Sequence, residues 1–160
     1  MEKWIILNPP YEKYAVSNRG NVKNIKTNAI LKQFIRHDGY MQVSLCGTKQ
    51  KSFKVHRLVA LMFNENIYAK PYVNHKDGDK LNNSNINLEW CTASENNYHA
   101  VEIGLVNATP IIIEDLRNGN IYTFPSISQG AVFINKDIRL VSRALRRLNG
   151  YLHGFKITKL

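Results

Sequence analysis

The sequence predicts an α+β fold. It has antiparallel sheets at its N-terminal end, a strand–loop–strand–helix unit in the middle, and a β-hairpin with two helices at the end. Three observations lead there. Met41, Val43 and Leu45 alternate with Gln42 and Ser44, the period of a half-buried strand. Val55, Leu58, Val59 and Met62 stand at i, i+3, i+4 and i+7, the period of a helix. Thr92-Ala93-Ser94-Glu95 is a capping box, in which a threonine hydroxyl and a glutamate carboxylate take up free backbone N–H groups at a helix start.

Residues 1–54 read as small antiparallel sheets. Ser17-Asn18-Arg19-Gly20 is a turn before Val22, and Ile30-Leu31 with Phe34 marks a further strand. Gly47-Thr48 turns the chain between the Met41–Leu45 run and the alternation resumed at Phe53 and Val55. The outward positions carry Arg19, Lys23, Lys26, Lys32, Arg36, Lys49 and Lys51. A twisted ribbon with those cations suits a DNA major groove, and a solvated sheet face is the plainer alternative.

Residues 55–104 form the next expected part. The helix from Val55 to Phe63 has His56 and Arg57 near its start. Most such histidines are structural, so His56 is an accessory candidate, and Arg57 is a candidate for a phosphate contact or a brace. Tyr72–His75 reads as a short strand, 76–87 as a polar loop, and Leu88-Glu89-Trp90 as the returning strand. The capped helix then runs to Gly104, a residue suited to the left-handed position after a helix end. Asn96 falls in its first turn, and His99, three residues on, lies along the same face.

Residues 105–110 read as a linker and 111–160 as a C-terminal module. Pro110-Ile111-Ile112-Ile113 begins a strand, Asn118-Gly119-Asn120 is a hairpin turn, and Ile121–Phe124 pairs back. Ser126 precedes a short helix to about Ile134, Asn135-Lys136-Asp137 turns, and a second helix spans Ile138 to Leu148. Arg139, Arg143, Arg146 and Arg147 share one arc of it, and Ile138, Leu140, Val141, Ala144, Leu145 and Leu148 fill the other. That is a helix-turn-helix with a basic recognition face, weighed against an ordinary amphipathic helix. Beyond Asp137 that helix holds no acidic partner, which favours DNA.

Charge is distributed unevenly along the 160 residues, whose net is +10. Residues 1–70 hold twelve Lys and Arg against four Asp and Glu, a net of +8. Residues 71–110 hold two against five, −3, and residues 111–160 eight against three, +5. Basic flanks read as phosphate-binding surface and an acidic centre as a cation site. Cys46 and Cys91 have no CxxC spacing, which disfavours a disulfide framework or zinc cluster; both are expected to be small, buried or half-buried apolar residues. No apolar run nears the roughly 20 residues of a membrane span and no signal-peptide pattern opens the chain, so an intracellular, soluble protein is expected.

Within the acidic centre, Asn74-His75-Lys76-Asp77-Gly78-Asp79 is followed by Asn82-Asn83, Asn87 and Asn96. A histidine near neutral pKa can take a proton from water. Amide and carboxylate oxygens suit a hard divalent cation, Mg²⁺ or Mn²⁺. His75 is therefore the candidate base, Asn87 a candidate to hold the imidazole or the substrate, and Asn74 and Asn96 the candidate ligands of one cation. Side chains of adjacent strand residues point to opposite faces, so Asn74 and His75 share a site only if the strand end bends. His99 is an accessory candidate for metal, water or phosphate. Asn82, Asn83 and Asn85 read as loop residues making Asx-type bonds, Asp77-Gly78 as a tight turn, and Trp90 as core. His37 and His153 sit in turn-like sequence and are assigned no chemistry.

These stretches carry a resemblance. Val73-Asn74-His75-Lys76-Asp77-Gly78, Asn82-Asn83 and Asn87-Leu88-Glu89-Trp90, preceded by Val55-His56-Arg57-Leu58-Val59-Ala60, resemble the HNH homing endonucleases, and most closely those encoded in phage group I introns. Trp4, Tyr11-Glu12 and Tyr14 through Gly20 with Val22 look like the DNA-binding module that precedes HNH in that subgroup; the tail from Pro125 to Phe155 is similar to its helix-turn-helix repeat. The resemblance implies a site-specific, metal-dependent endonuclease with a ββα-metal core, with His75 as general base and Asn87 as its orienting partner. It implies one divalent metal on Asn74 and Asn96, where some relatives place aspartate at the position of Asn74. It further implies a monomer that nicks one strand of a long, asymmetric double-stranded site, in a phage-infected bacterial cytoplasm. A catalytically weak or inactive DNA-binding regulator is the alternative.

Overall fold

The computed structural model describes Met1–Leu160 as two compact units, Met1–His99 and Ala100–Leu160. The first unit opens with two three-stranded antiparallel sheets. One is β1 (Trp4–Ile6), β2 (Tyr14–Ser17) and β3 (Val22–Asn24); the other is β4 (Gln33–Ile35), β5 (Met41–Cys46) and β6 (Gln50–Lys54). Helix α1 (Val55–Phe63) follows, then a two-stranded ribbon of β7 (Tyr72–His75) and β8 (Leu88–Cys91), and then α2 (Ala93–Glu102), which crosses the boundary between units.

One core joins these pieces. Val16 and Val22 from the first sheet, Val43 and Leu45 from the second, Val55, Leu58 and Val59 from α1, and Val73 and Leu88 from the ribbon are all buried together. Burying a Val or Leu side chain stabilises by about 1.5–3 kcal/mol, so the N-terminal sheets, α1 and the ribbon stabilise one another through this shared core. Residues 1–54 thus have no core separate from that of α1 and the ribbon. Cys91 is buried, but Cys46 is exposed, contrary to the expectation for it. The strand phase explains this: Leu45 faces the core, so its neighbour faces out.

The second unit contains β9 (Ile111–Asp115), β10 (Asn120–Phe124), α3 (Ile127–Phe133), α4 (Ile138–Arg147), β11 (Tyr151–Leu152) and β12 (Phe155–Lys159). The expected β9–β10 hairpin is present, but it is half of a four-stranded antiparallel sheet ordered β10-β9-β12-β11. β12 pairs with β9 from Phe155↔Asp115 to Lys159↔Ile111. Only Phe155 and Ile157 of β12 face the core, too short an alternation to stand out in sequence. Gly150, at φ +87°, lies against the Ile157 carbonyl so closely that a Cβ would collide with it. The packed stripe of α4 is also narrower than expected. Val141 and Ala144 are buried and Leu145 partly so, whereas Ile138, Leu140 and Leu148 are exposed.

Candidate active site

The ribbon sets the site. Its register pairs Asn74 with Glu89 and His75 with Leu88, and Tyr72 with Cys91. Directly opposed residues share a face, and residues two apart return to it. Asn74, Glu89 and Cys91 therefore lie on one face and His75 on the other, as strand alternation requires. His75 is the last residue of β7, where the ribbon ends and the loop begins.

On its own face the His75 ring is buried in a stack. It packs edge-on against His56, centroids 5.1 Å apart, and tilts against Tyr40 at 6.0 Å. Nε2 lies 3.3 Å from Oδ1 of Asn83, a buried residue whose Nδ2 donates to the Leu81 carbonyl. Because Oδ1 can only accept, Nε2 carries the proton and Nδ1 keeps the lone pair. Burial pulls the His75 pKa below its ordinary value, and the Asn83 bond and the charges of Asp77 and Asp79 only partly oppose it. A neutral imidazole at neutral pH is the form a base requires.

Asn83 was expected to be an ordinary loop residue, and Asn87 the partner of the imidazole. The structure gives the imidazole bond to Asn83. Asn87 lies at the end of a single 3₁₀ turn, Asn85–Asn87, and faces the loop instead. Its Nδ2 donates to Asp77 Oδ1 at 2.8 Å and to the Asn82 carbonyl at 2.9 Å, and its Oδ1 accepts from the Asp77 amide. Asn87 closes the loop that carries Asn83. Burial of Asp77 acts to raise its pKa, but the Asn82 and Asn87 bonds outweigh it, so this carboxylate stays charged.

A second support comes from the N-terminal turn. Asn85 N–H donates to the Asn18 carbonyl at 2.9 Å, and a Cβ placed on Gly20 would stand 2.8 Å from that of Asn83. With φ +88°, Gly20 is at a position where only glycine both turns the chain and admits Asn83. Asn64, just past α1, braces the other side through bonds from Nδ2 to the Asn85 and Leu88 carbonyls. Neither contact was visible in the sequence, because both link residues more than twenty positions apart.

The remaining candidates separate by role. His56 is buried with Nδ1 unpartnered, and burial, followed by repulsion from His75, holds its pKa at about 3. Arg57 donates to the Pro71 carbonyl and lies over the Trp90 ring, which makes it a brace. His99 Nε2 is 3.0 Å from the Lys76 carbonyl oxygen and ties α2 to the loop. Two lysines absent from the sequence candidates flank the stack: Lys54 and Lys80 stand 4.0 and 4.7 Å from the Tyr40 centroid, and both bond Asp38.

On the opposite face, Asn74 Nδ2 donates to Glu89 Oε1 at 2.9 Å, which leaves Asn74 Oδ1 free. Asn96 Oδ1 lies 3.8 Å from Cys91 Sγ, in the first turn of α2. The capping box that starts α2 is formed: Glu95 N–H donates to Thr92 Oγ1 and Thr92 N–H to Glu95 Oε2. No group of three or more His, Cys, Asp or Glu side chains converges anywhere in the chain. The Asn74 and Glu89 side chains offer oxygens that fit a hard cation, and the single thiol of Cys91 on that face does not make a zinc-type nitrogen–sulfur site.

The sheet cations Arg19, Lys26, Lys32, Arg36, Lys49 and Lys51 are exposed. Lys23 is half-buried, with Nζ 4.5 Å over the Trp4 ring and 2.9 Å from Asn28 Oδ1. In the second unit Arg139, Arg143, Arg146 and Arg147 are all exposed on α4.

Comparison with known proteins gives consistent matches. Residues 2–46 match the NUMOD4 motif and residues 53–98 the HNH endonuclease family. An uncharacterised HNH endonuclease of Acanthamoeba polyphaga mimivirus is 47% identical over 130 residues, which cover 76% of this chain and 32% of that protein. DNA endonuclease I-HmuI of Bacillus phage SP01 is 43% identical over 97 residues, 60% of this chain and 56% of that protein. The chain thus spans about a third of the first relative and just over half of the second. A solved structure described as "DNA binding and cleavage by the HNH homing endonuclease I-HmuI" superimposes with a TM-score of 0.60 at 30% identity, covering 99% of this chain and 98% of that one. With the mixed α+β architecture matched end to end, the chain belongs to the HNH endonuclease family.

Proposed function

We propose that this protein is a site-specific, divalent-metal-dependent DNA endonuclease of the homing type, which hydrolyses a phosphodiester bond and nicks one strand. The observation that carries the reading is the buried, neutral His75, fixed through Nε2 by Asn83 at the end of an HNH ribbon. Nδ1 is the atom left to take a proton from water, and Asn83 retains the ring in that tautomer while it charges. The protonated ring is then placed to give its proton up to solvent. Asn74 and Asn96 would hold the cation through their side-chain oxygens. Bound there, Mg²⁺ or Mn²⁺ would neutralise phosphate charge and the leaving oxygen. Asn74 and His75 stand on opposite faces of the ribbon, so a phosphate that meets both lies across the end of β7, where the strand stops.

The parts divide the work. Residues 1–54 with their sheet cations contact the DNA on one side of the cut, 55–104 carry the chemistry, and 111–160, joined by 105–110, present the α4 arginines to a groove. Two unlike DNA-binding parts imply a long asymmetric site read by a monomer, since a symmetric cutter requires a two-fold repeat. The test is incubation of the chain with supercoiled plasmid bearing a candidate insertion site, with Mg²⁺, Mn²⁺ or EDTA. Nicked circles with either metal and none with EDTA are expected; plasmid left intact in every metal overturns the proposal.

A further inference from the structure

Two neutral amides are a poor pair of ligands for a dication. Hard divalent ions take oxygen donors, and carboxylates supply most of the attraction. The nearest carboxylate to Asn74 is not on its own strand. It belongs to Glu89, opposite in the register, on the same face and hydrogen-bonded to the Asn74 amide at 2.9 Å.

We propose that Glu89 is the charged ligand of the cation site, completing the set Asn74, Glu89 and Asn96 from β7, β8 and α2. This rests on the proposed metal dependence. One hydrogen bond disposes the oxygens of Asn74 and Glu89. Glu89 Oε1 accepts from Asn74 Nδ2, which turns Asn74 Oδ1 away from the bond and leaves Glu89 Oε2 without that donor. Cys91 continues the same face two residues along β8, and Asn96 Oδ1 lies against its thiol. The neighbouring cations are Lys70 and Lys76, but Glu95 holds the first ammonium at 2.8 Å and the second donates to the Ile86 carbonyl at 3.0 Å.

The alternative is a structural role, in which Glu89 only holds Asn74 in place. Glu89→Gln separates the two, because glutamine keeps an acceptor for the Asn74 amide and loses only the charge. Mn²⁺ alone is the probe, titrated into the full chain and followed by electron paramagnetic resonance, with plasmid nicking measured beside it. Glu89→Gln is expected to weaken Mn²⁺ binding at least tenfold at an unchanged melting temperature. The double variant Glu89→Gln/Asn74→Asp is expected to recover most of the loss, the charge having been moved across the ribbon. Wild-type Mn²⁺ affinity in Glu89→Gln, or no recovery in the double variant, overturns the assignment of Glu89. If the wild-type chain binds Mn²⁺ and nicks DNA while Glu89→Gln binds equally, only this assignment fails. If the wild-type chain neither binds Mn²⁺ nor nicks, the endonuclease proposal itself fails.

Discussion

His75 and His56 share a stack yet answer different questions about pH and activity. If His75 is the base, His75→Ala should slow nicking by roughly 10²–10⁴-fold while target binding stays near wild type. Nicking within a few-fold of wild type would remove it from that role. Its pKa is lowered by burial, so activity should rise with pH through a value below the ordinary histidine range and be level by neutrality. Asn83→Ala should lower kcat with little change in KM, since Asn83 is buried against the imidazole; equal loss in KM would point to a binding role instead. His56 governs stability. Its folded pKa is about 3 against 6.5 unfolded, so between those values the unfolded chain binds the extra proton. Stability is therefore complete above pH 6.5 and declines as pH falls towards 3. His56→Phe should flatten the melting temperature between pH 6.5 and 4; an unchanged acid slope would show that another group is responsible.

At the scale of elements, the start of α2 and the arc of α4 offer the clearest tests. The Thr92–Glu95 box should contribute about 1 kcal/mol to stability, so Thr92→Ala should lower the melting temperature of the first unit by a few degrees. On α4, replacing Arg139 or Arg143 near the N-terminal turns should relax base preference, by roughly 1–3 kcal/mol where a bidentate contact is lost. Replacing Arg146 or Arg147 should weaken binding evenly across sequences and flatten the salt slope by about one unit. Uniform effects from all four in a binding-site selection would show that the helix meets phosphates only. These elements were legible in sequence because their signals are local: α1 by its period, α2 by its box, β5 by alternation. What stayed hidden was non-local. β12 joins β9 across about forty residues, and its two inward side chains carry too little pattern to be read alone. The partner of His75 was hidden for the same reason among near-identical asparagines, where only the folded loop separates Asn83 from Asn87.

For the molecule as a whole, the two cores predict unequal tolerance to truncation. Ending the chain at residue 110 leaves every member of the first core in place, so this fragment should still melt cooperatively. It should bind target DNA less tightly and lose protection at one end of the footprint, since residues 111–160 carry +5. A full-length footprint from the fragment would show that α4 is merely solvated. Starting the chain at residue 55 should instead abolish cooperative melting, because Val16, Val22, Val43 and Leu45 would leave α1 and the ribbon half uncovered.

The apposition of Gly20 and Asn83 carries this difference into heredity. A crossover near Lys54 and Val55 that traded one N-terminal segment for another would import a new turn against an old loop. Any incoming side chain in place of Gly20 would press on the residue that fixes the His75 ring. On the proposed mechanism such an exchange would displace the base, so an incoming turn must bring a glycine at this position to suit the loop. The second unit brings its own core, so its exchange would leave the packing around His75 intact.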